Sequence, residues 1–282
     1  MNAFRLPSGT SVAPLGQGTW AIGDDRAKRQ AEIAALRLGL DLGLALIDTA
    51  EMYGDGRSER LVGEAIAGRR AEVYLVSKVL PHNAMRRGTI EACKRSLQRL
   101  KTDYLDLYLL HWRESRPLDE TLEAFMALKE SGLIRDYGVS NFDQGDMEEA
   151  IALPGGEGIA TNQVLYNLKH RGIEWDLLPW CRKRGMPIMA YTPLGNSGNE
   201  QRRILDHAPV QAVAARHAAT PAQVALAWLL RQAGVVAIPK ASSEAHVREN
   251  RKALDLGLAD QDLRELDGAF APPRRRTPLE MV

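Results

Sequence analysis

Apolar positions along this chain follow two periods that alternate from one end to the other. Short apolar or β-branched runs occur at Pro14–Thr19, Leu44–Ile47, Val73–Ser77, Leu105–Leu110, Tyr137–Val139, Thr161–Val164, Pro187–Ala190 and Val235–Ile238. Nearly continuous runs of this kind, Leu105–Leu110 above all, read as parallel strands covered on both faces. Between them lie longer stretches whose apolar residues recur every three or four positions, the spacing of one helix face. Arg26–Leu42 carries Ile33, Leu36 and Leu40 in this way, and Arg86–Leu100 carries Ile90, Cys93, Leu97 and Leu100. Leu118–Ser131 carries Leu122, Phe125 and Met126 and stops at Gly132, a helix C-cap. Thr220-Pro221 supplies an N-cap and a first-turn proline for Ala222–Gln232, and Ser242–Lys252 follows the last strand.

Strand and helix alternating through 282 residues, with no linker-like shift in composition, predict an α/β fold: a (β/α)8 TIM barrel forming one domain over residues 1–282. An open doubly wound sheet is the alternative. Phe4–Val12, with its Pro7-Ser8-Gly9-Thr10 turn, predicts an N-terminal β-hairpin ahead of the first barrel strand. Extra helices are predicted near the C-terminus at Glu200–His217 and Gln261–Ala269, and Pro272-Pro273-Arg274-Arg275-Arg276 reads as a solvated tail.

In such a barrel the chemistry sits at the carboxyl ends of the strands. The residues there are Trp20, Asp48, Lys78, His111, Asn141, Gln163, Tyr191 and Lys240. Asp48, with Tyr53 five residues on, Lys78 and His111 come from three adjacent strands. A phenol titrates near pH 10 in water, too weakly acidic to protonate an alkoxide efficiently. An ammonium beside it favours the phenolate. Lys78 can be that ammonium, Asp48 the carboxylate that keeps it charged, and His111 a hydrogen-bonding partner for a carbonyl oxygen. The grouping predicts a site that protonates a carbonyl oxygen while another species attacks the carbon.

The segments Ile47-Asp48-Thr49-Ala50-Glu51-Met52-Tyr53-Gly54, Ser77-Lys78, Leu110-His111-Trp112, Gly138-Val139-Ser140-Asn141-Phe142 and Ile238-Pro239-Lys240 resemble the aldo-keto reductase superfamily, in order and over nearly the whole chain. Glu51-Met52-Tyr53 and Asn162-Gln163-Val164-Leu165-Tyr166-Asn167 resemble its bacterial methylglyoxal-reductase-like members. The resemblance implies NADPH-dependent reduction of small aldehydes or ketones, with Tyr53 as proton donor, Lys78 and Asp48 as its tuning pair and His111 orienting the substrate. It places the cofactor against Gly18, Thr19, Trp20, Ser140, Asn141, Gln163 and Tyr191. Thr192, Pro193, Leu194, Gly195 and the Asn196–Gln201 loop would follow the pyrophosphate, and Lys240, Ala241, Ser242, Ser243, His246, Glu249 and Asn250 the adenosine end. Trp20 and Trp112 would wall the substrate pocket.

One position departs from the family pattern. Many NADPH-preferring relatives carry an arginine six residues after the lysine that stands here at Lys240, whereas this chain has His246. Arg248 lies about 200° further round a helix and is no simple substitute. NADPH is therefore expected to be preferred over NADH by a narrowed margin. The pattern Gly16-Gln17-Gly18-Thr19-Trp20-Ala21 matches G-x-G-x-x-A, but Pro14 precedes it and Gly23-Asp24-Asp25 intervenes before any helix. A close backbone approach at the first strand is the reading taken.

Two other classes stay open: a Schiff-base aldolase with Lys78 as nucleophile, and a cofactor-binding regulatory subunit on the same barrel. Composition narrows the field further. Thirty-seven Lys and Arg against 36 Asp and Glu leave a net charge of +1, without the footprint of a nucleic-acid or anionic-membrane binder. Two cysteines and six histidines without ligand spacing point away from disulfides and metals. The opening residues lack the apolar core of a signal peptide, and no apolar run reaches the roughly 18 residues of a membrane span. A cytoplasmic monomer acting on small carbonyl substrates is expected.

Overall fold

The computed structural model describes residues 4–196 and 198–282. Phe4–Arg5 (β1) and Ser11–Val12 (β2) pair antiparallel, closed by a turn in which Gly9 N donates to Leu6 O at 2.8 Å. Eight parallel strands follow: Gln17–Gly18 (β3), Leu46–Asp48 (β4), Tyr74–Val79 (β5), Leu105–Leu110 (β6), Ile134–Ser140 (β7), Ile159–Leu165 (β8), Ile188–Tyr191 (β9) and Val235–Ala237 (β10). They neighbour one another in chain order, and the first meets the last. Gly16 N donates to Ala237 O at 2.8 Å, Ala237 N to Pro14 O at 2.8 Å and Gly18 N to Pro239 O at 3.0 Å. The sheet is therefore closed, and the open-sheet alternative is excluded.

Closure explains the glycines of the first strand. A Cβ on Gly18 would stand 2.7 Å from Ile238 O, and one on Gly16 would stand 2.5 Å from Leu46 Cδ2. The G-x-G-x-x-A match is a packing requirement of the barrel seam. No helix opens directly behind it.

Except for Arg135 and the half-buried Tyr191, the residues of the eight parallel strands are buried on both faces, and their apolar members split into two sets. Leu46, Val76, Leu107, Leu109, Met189 and Val236 form the barrel interior, which Leu6 and Val12 of the hairpin seal at the amino end. The larger set packs strands against helices. Helices lie at Arg29–Asp41, Arg86–Leu100, Leu118–Glu130, Pro221–Leu230 and Glu244–Lys252, close to their predicted positions. Gly132, at φ 74°, closes the third of these as expected, and Thr220 caps the fourth in a reciprocal box with Gln223.

Three helices were not legible in the sequence: Arg57–Ala65, Gln144–Ala152 and Leu177–Lys183. The stretch predicted as one helix over Glu200–His217 is two, Gly198–Leu205 and Ala208–Arg216, and the last helix is Asp260–Ala269. The tail expected to be solvated is exposed at Pro272 and from Arg274 to Arg276, although the chain beyond it is held down. Arg276 Nε stands 3.0 Å from Asp176, and Leu279 packs against the core. Among the described residues no helix is long and apolar enough to cross a membrane.

Candidate active site

Side chains alternate along a strand, so the interior stack continues upward into whatever ends each strand. On β4 Leu46 leads to Asp48, and on β5 Tyr74 and Val76 lead to Lys78. On β6 Leu107 and Leu109 lead to His111, the residue after the strand, and on β9 Met189 leads to Tyr191. The barrel core is thus capped by an ionisable layer.

Lys78 is fully buried, and its ammonium donates to Asp48 Oδ2 at 2.7 Å, Thr49 O at 3.0 Å and Tyr53 Oη at 3.1 Å. All three of its hydrogens are therefore matched. The other carboxylate oxygen of Asp48 accepts from Gln163 Nε2 at 2.7 Å, which braces β4 to β8 across the mouth. Tyr53 is returned to the centre by a turn in which Gly54, Asp55 and Gly56 all take positive φ, at 56°, 52° and 80°. Its ring meets the edge of Trp20 at 5.0 Å and His111 at 5.8 Å between centroids. Trp112 stacks obliquely on His111 at 4.9 Å.

Burial and neighbours set the charge states. Burial works against the Lys78 ammonium, but Asp48 and Tyr53 outweigh it and hold the group above its ordinary value. Burial raises the Tyr53 phenol, Lys78 pulls it down and Asp48 pushes it up, so the net direction is upward. The resting phenol is not acidified, contrary to the sequence expectation. The lowering by Lys78 is present but is outweighed in a site this dry. Burial, aided by the charge on Lys78, lowers His111 to about 2, so the imidazole is neutral. The site therefore presents a protonated phenol, a neutral imidazole and one internally neutralised ion pair.

Around it opens a cavity of about 770 Å³ at the carboxyl end of the barrel. One wall is a linked set of amides. Tyr191 Oη donates to Asn141 Oδ1 at 2.7 Å, and Asn141 Nδ2 donates to His111 O at 3.1 Å and Ser140 Oγ at 3.2 Å. Asn141 and Thr192 adopt left-handed backbone at φ 60° and 46°, which costs energy and clusters at functional sites. Thr192 Oγ1 is buried without a hydrogen-bond partner among the described residues. A roomy cleft with an orphaned hydroxyl and strained walls fits an extended nicotinamide cofactor.

Residues 14–270 match the model of the aldo/keto reductase family. Methylglyoxal reductase YeaE of Escherichia coli K12 is 52% identical over 99% of this chain and 98% of its own. Methylglyoxal reductase DkgB of Escherichia coli O157:H7 is 35% identical over 89% of this chain and 91% of its own. A crystal structure of an aldo/keto reductase from Klebsiella pneumoniae in complex with NADP and acetate superposes with a TM-score of 0.97 at 49% identity, over 100% of this chain and 99% of that one. The chain belongs to the aldo/keto reductase family.

As an aldo/keto reductase it is an oxidoreductase built on the barrel predicted above. Of the predicted site residues, Asp48, Tyr53 and His111 line the cavity, while Lys78 lies behind them. Gly18, Thr19, Trp20, Trp112, Ser140, Asn141, Gln163, Tyr191, Thr192, Pro193, Leu194, Gly195 and Lys240 also line it. Ala241, Ser242, Ser243, His246, Glu249 and Asn250 do not; they lie past Lys240 at the start of Glu244–Lys252 and along it. Ser243 caps that helix, and the Glu249 carboxylate accepts from Thr220 Oγ1 at 2.6 Å. The predicted loop Asn196–Gln201 contains the start of a helix, and Ser197 within it lies outside the described residues. Sequence reasoning missed Ala21, Met52, Ile238, Pro239, Met281 and Val282 as lining residues. The tail carries no periodic or motif signal that could have placed its last residues there.

The neutral state of His111 has a measurable consequence. An unfolded histidine takes up a proton near pH 6.5, whereas the folded one does so at about 2. The stability this group contributes is complete above the unfolded value and erodes as pH falls toward the folded one. Between pH 6.5 and 5 the wild type is expected to lose about 2 kcal/mol more than His111→Gln, read by denaturant unfolding. Parallel losses in the two proteins would exclude a neutral buried imidazole.

Proposed function

We propose that this chain reduces methylglyoxal and similar small aldehydes and ketones to alcohols with NADPH, Tyr53 giving the proton. The observation that carries the reading is the Tyr53 hydroxyl 3.1 Å from a buried, paired ammonium at the cavity floor. The bound dihydronicotinamide supplies a hydride to the carbonyl carbon. The protein's part is to hold the carbonyl oxygen between Tyr53 and the neutral imidazole of His111 and to hand over the phenolic proton. As the phenol gives up that proton, Lys78 stabilises the negative charge left on its oxygen, an effect larger in a site shielded from water. Trp20 and Trp112 contribute that shielding.

The substrate class follows from the walls, two indoles with one hydroxyl and one imidazole, and from the activity named for the YeaE and DkgB relatives. A Schiff-base mechanism suits the site poorly, because all three hydrogens of the Lys78 ammonium are engaged. Burial pushes both cysteine thiols up to about 12, so neither is a poised nucleophile. The reading extends to one barrel domain acting as a cytoplasmic monomer, which sedimentation of the purified chain and fractionation of cells check.

Turnover of methylglyoxal coupled to loss of nicotinamide absorbance is the direct test. No turnover with any small carbonyl would leave the regulatory-subunit alternative standing. For the cofactor, exposed Lys240 at the cavity's edge is the charge placed to meet a 2′-phosphate. Lys240→Ala is expected to raise KM for NADPH about tenfold and leave KM for NADH unchanged, the loss of one charge-assisted contact. An equal rise for both cofactors would remove Lys240 from phosphate recognition.

A further inference from the structure

Two walls of the cavity come from segments far apart in the chain, and a histidine stands between anchors of both. One wall is Thr192–Asn196, continued by Gln201 on the following helix; the other is the end of the tail, Met281 and Val282. His170 Nε2 meets Glu200 Oε1, and His170 Nδ1 stands 2.9 Å from Glu280 Oε1, at ion-pair distance but not in hydrogen-bond geometry. Glu200 also receives Lys169 Nζ at 3.1 Å, and its other oxygen accepts Asn196 N at 2.7 Å, so it is an anchor of the first wall. Glu280 is the residue directly before Met281.

The loop that carries His170 is itself fixed to the first wall. Buried Asn167 accepts the backbone N–H groups of Lys169 and His170 at 2.9 and 3.0 Å and donates to Thr192 O at 2.9 Å. The tail has looser moorings. Arg276, largely exposed, reaches Asp143 and Asp176, and Leu279 packs over the groove that includes Ile173 and Leu177. Exposed ion pairs contribute little each. The contact at His170 is only 15% exposed on the histidine side, and two residues beyond Glu280 the backbone of Val282 reaches the Tyr191 hydroxyl on the cavity wall.

We propose that His170 is a positioning residue that ties the tail to the Thr192–Asn196 wall, so that a cofactor held on that wall also fixes Met281 at the cavity mouth. Order on one wall then favours order on the other, a coupling that needs only one shared contact. The inference rests on the NADPH reading above.

Hydrogen exchange by mass spectrometry on the full chain, with and without NADP+, tests it in wild type, His170→Ala and Glu280→Ala. Glu280 is half-exposed in the tail, so its truncation keeps the test available if the histidine variant folds poorly. In wild type NADP+ is expected to slow exchange in both 192–196 and 276–282. In either variant it should slow only 192–196, with KM for methylglyoxal raised about fivefold, the lower end of couplings between sites, and kcat changed less than about twofold. Equal slowing of 276–282 in all three proteins overturns the tie, as does an unchanged KM. No slowing of 192–196 even in wild type overturns the cofactor reading and this inference with it.

Discussion

Tyr53→Phe is expected to lower kcat by about 10²–10⁴-fold, the span that a positioned proton donor contributes. The substitution removes one oxygen and keeps the ring, so the edge contacts to Trp20 at 5.0 Å and His111 at 5.8 Å survive. Cofactor affinity, measured by fluorescence titration, should stay within about twofold, because the hydroxyl faces Lys78 on the cavity floor. Lys78 loses one of three acceptors, at a cost of about 1–3 kcal/mol in stability. Because burial holds the phenol above its ordinary value, the wild-type rate should show no loss of this acid anywhere below about pH 10. Retention of kcat within tenfold in the phenylalanine variant removes Tyr53 as the donor.

The buried pair beneath it gives the second large effect. Lys78→Met leaves the Asp48 carboxylate buried with only the Gln163 amide, and Asp48→Asn leaves the ammonium without its counter-charge. Removing one member of such a pair typically costs about 3–5 kcal/mol. Each single variant should therefore unfold at clearly lower denaturant and also turn over slowly. The double variant Lys78→Met/Asp48→Asn strands no charge, so it should regain much of the stability while its turnover stays low. Recovery of activity together with stability would mean that the pair serves only to hold the fold.

How much of this was legible beforehand follows from where each signal lives. The strands were readable because parallel strands buried on both faces must be apolar throughout, and the helix from Pro221 because its cap, proline and apolar run agree. Arg57–Ala65 escaped because it buries Ser58 and Glu59 beside Leu61 and Val62, which blurs its apolar stripe. Gln144–Ala152 buries only Met147 and Ala150, and its start is marked by a box of Asp143 with Asp146 instead of the commoner Glu. Leu177–Lys183 is short and contains Pro179. At the site, Asp48, Lys78 and His111 were legible because strand ends locate them whatever the loops do. The tail was not, since contacts from Arg276 and Glu280 to residues about a hundred positions away leave no local pattern. The direction of the Tyr53 shift was also hidden, since it depends on how dry the site is and not on which residues form it.

The division between strand-borne chemistry and loop-borne walls bears on how this enzyme can change. Asp48, Lys78 and His111 continue the apolar stack of the barrel, so altering them disturbs the same packing that closes the sheet. Trp20, Trp112 and Met281 stand on connections and on the tail, where a replacement touches few core neighbours. Mutational drift can therefore retune which carbonyls are accepted long before it reaches the buried ionisable layer, and a laboratory library confined to those three positions should yield altered selectivity without a stabilised parent.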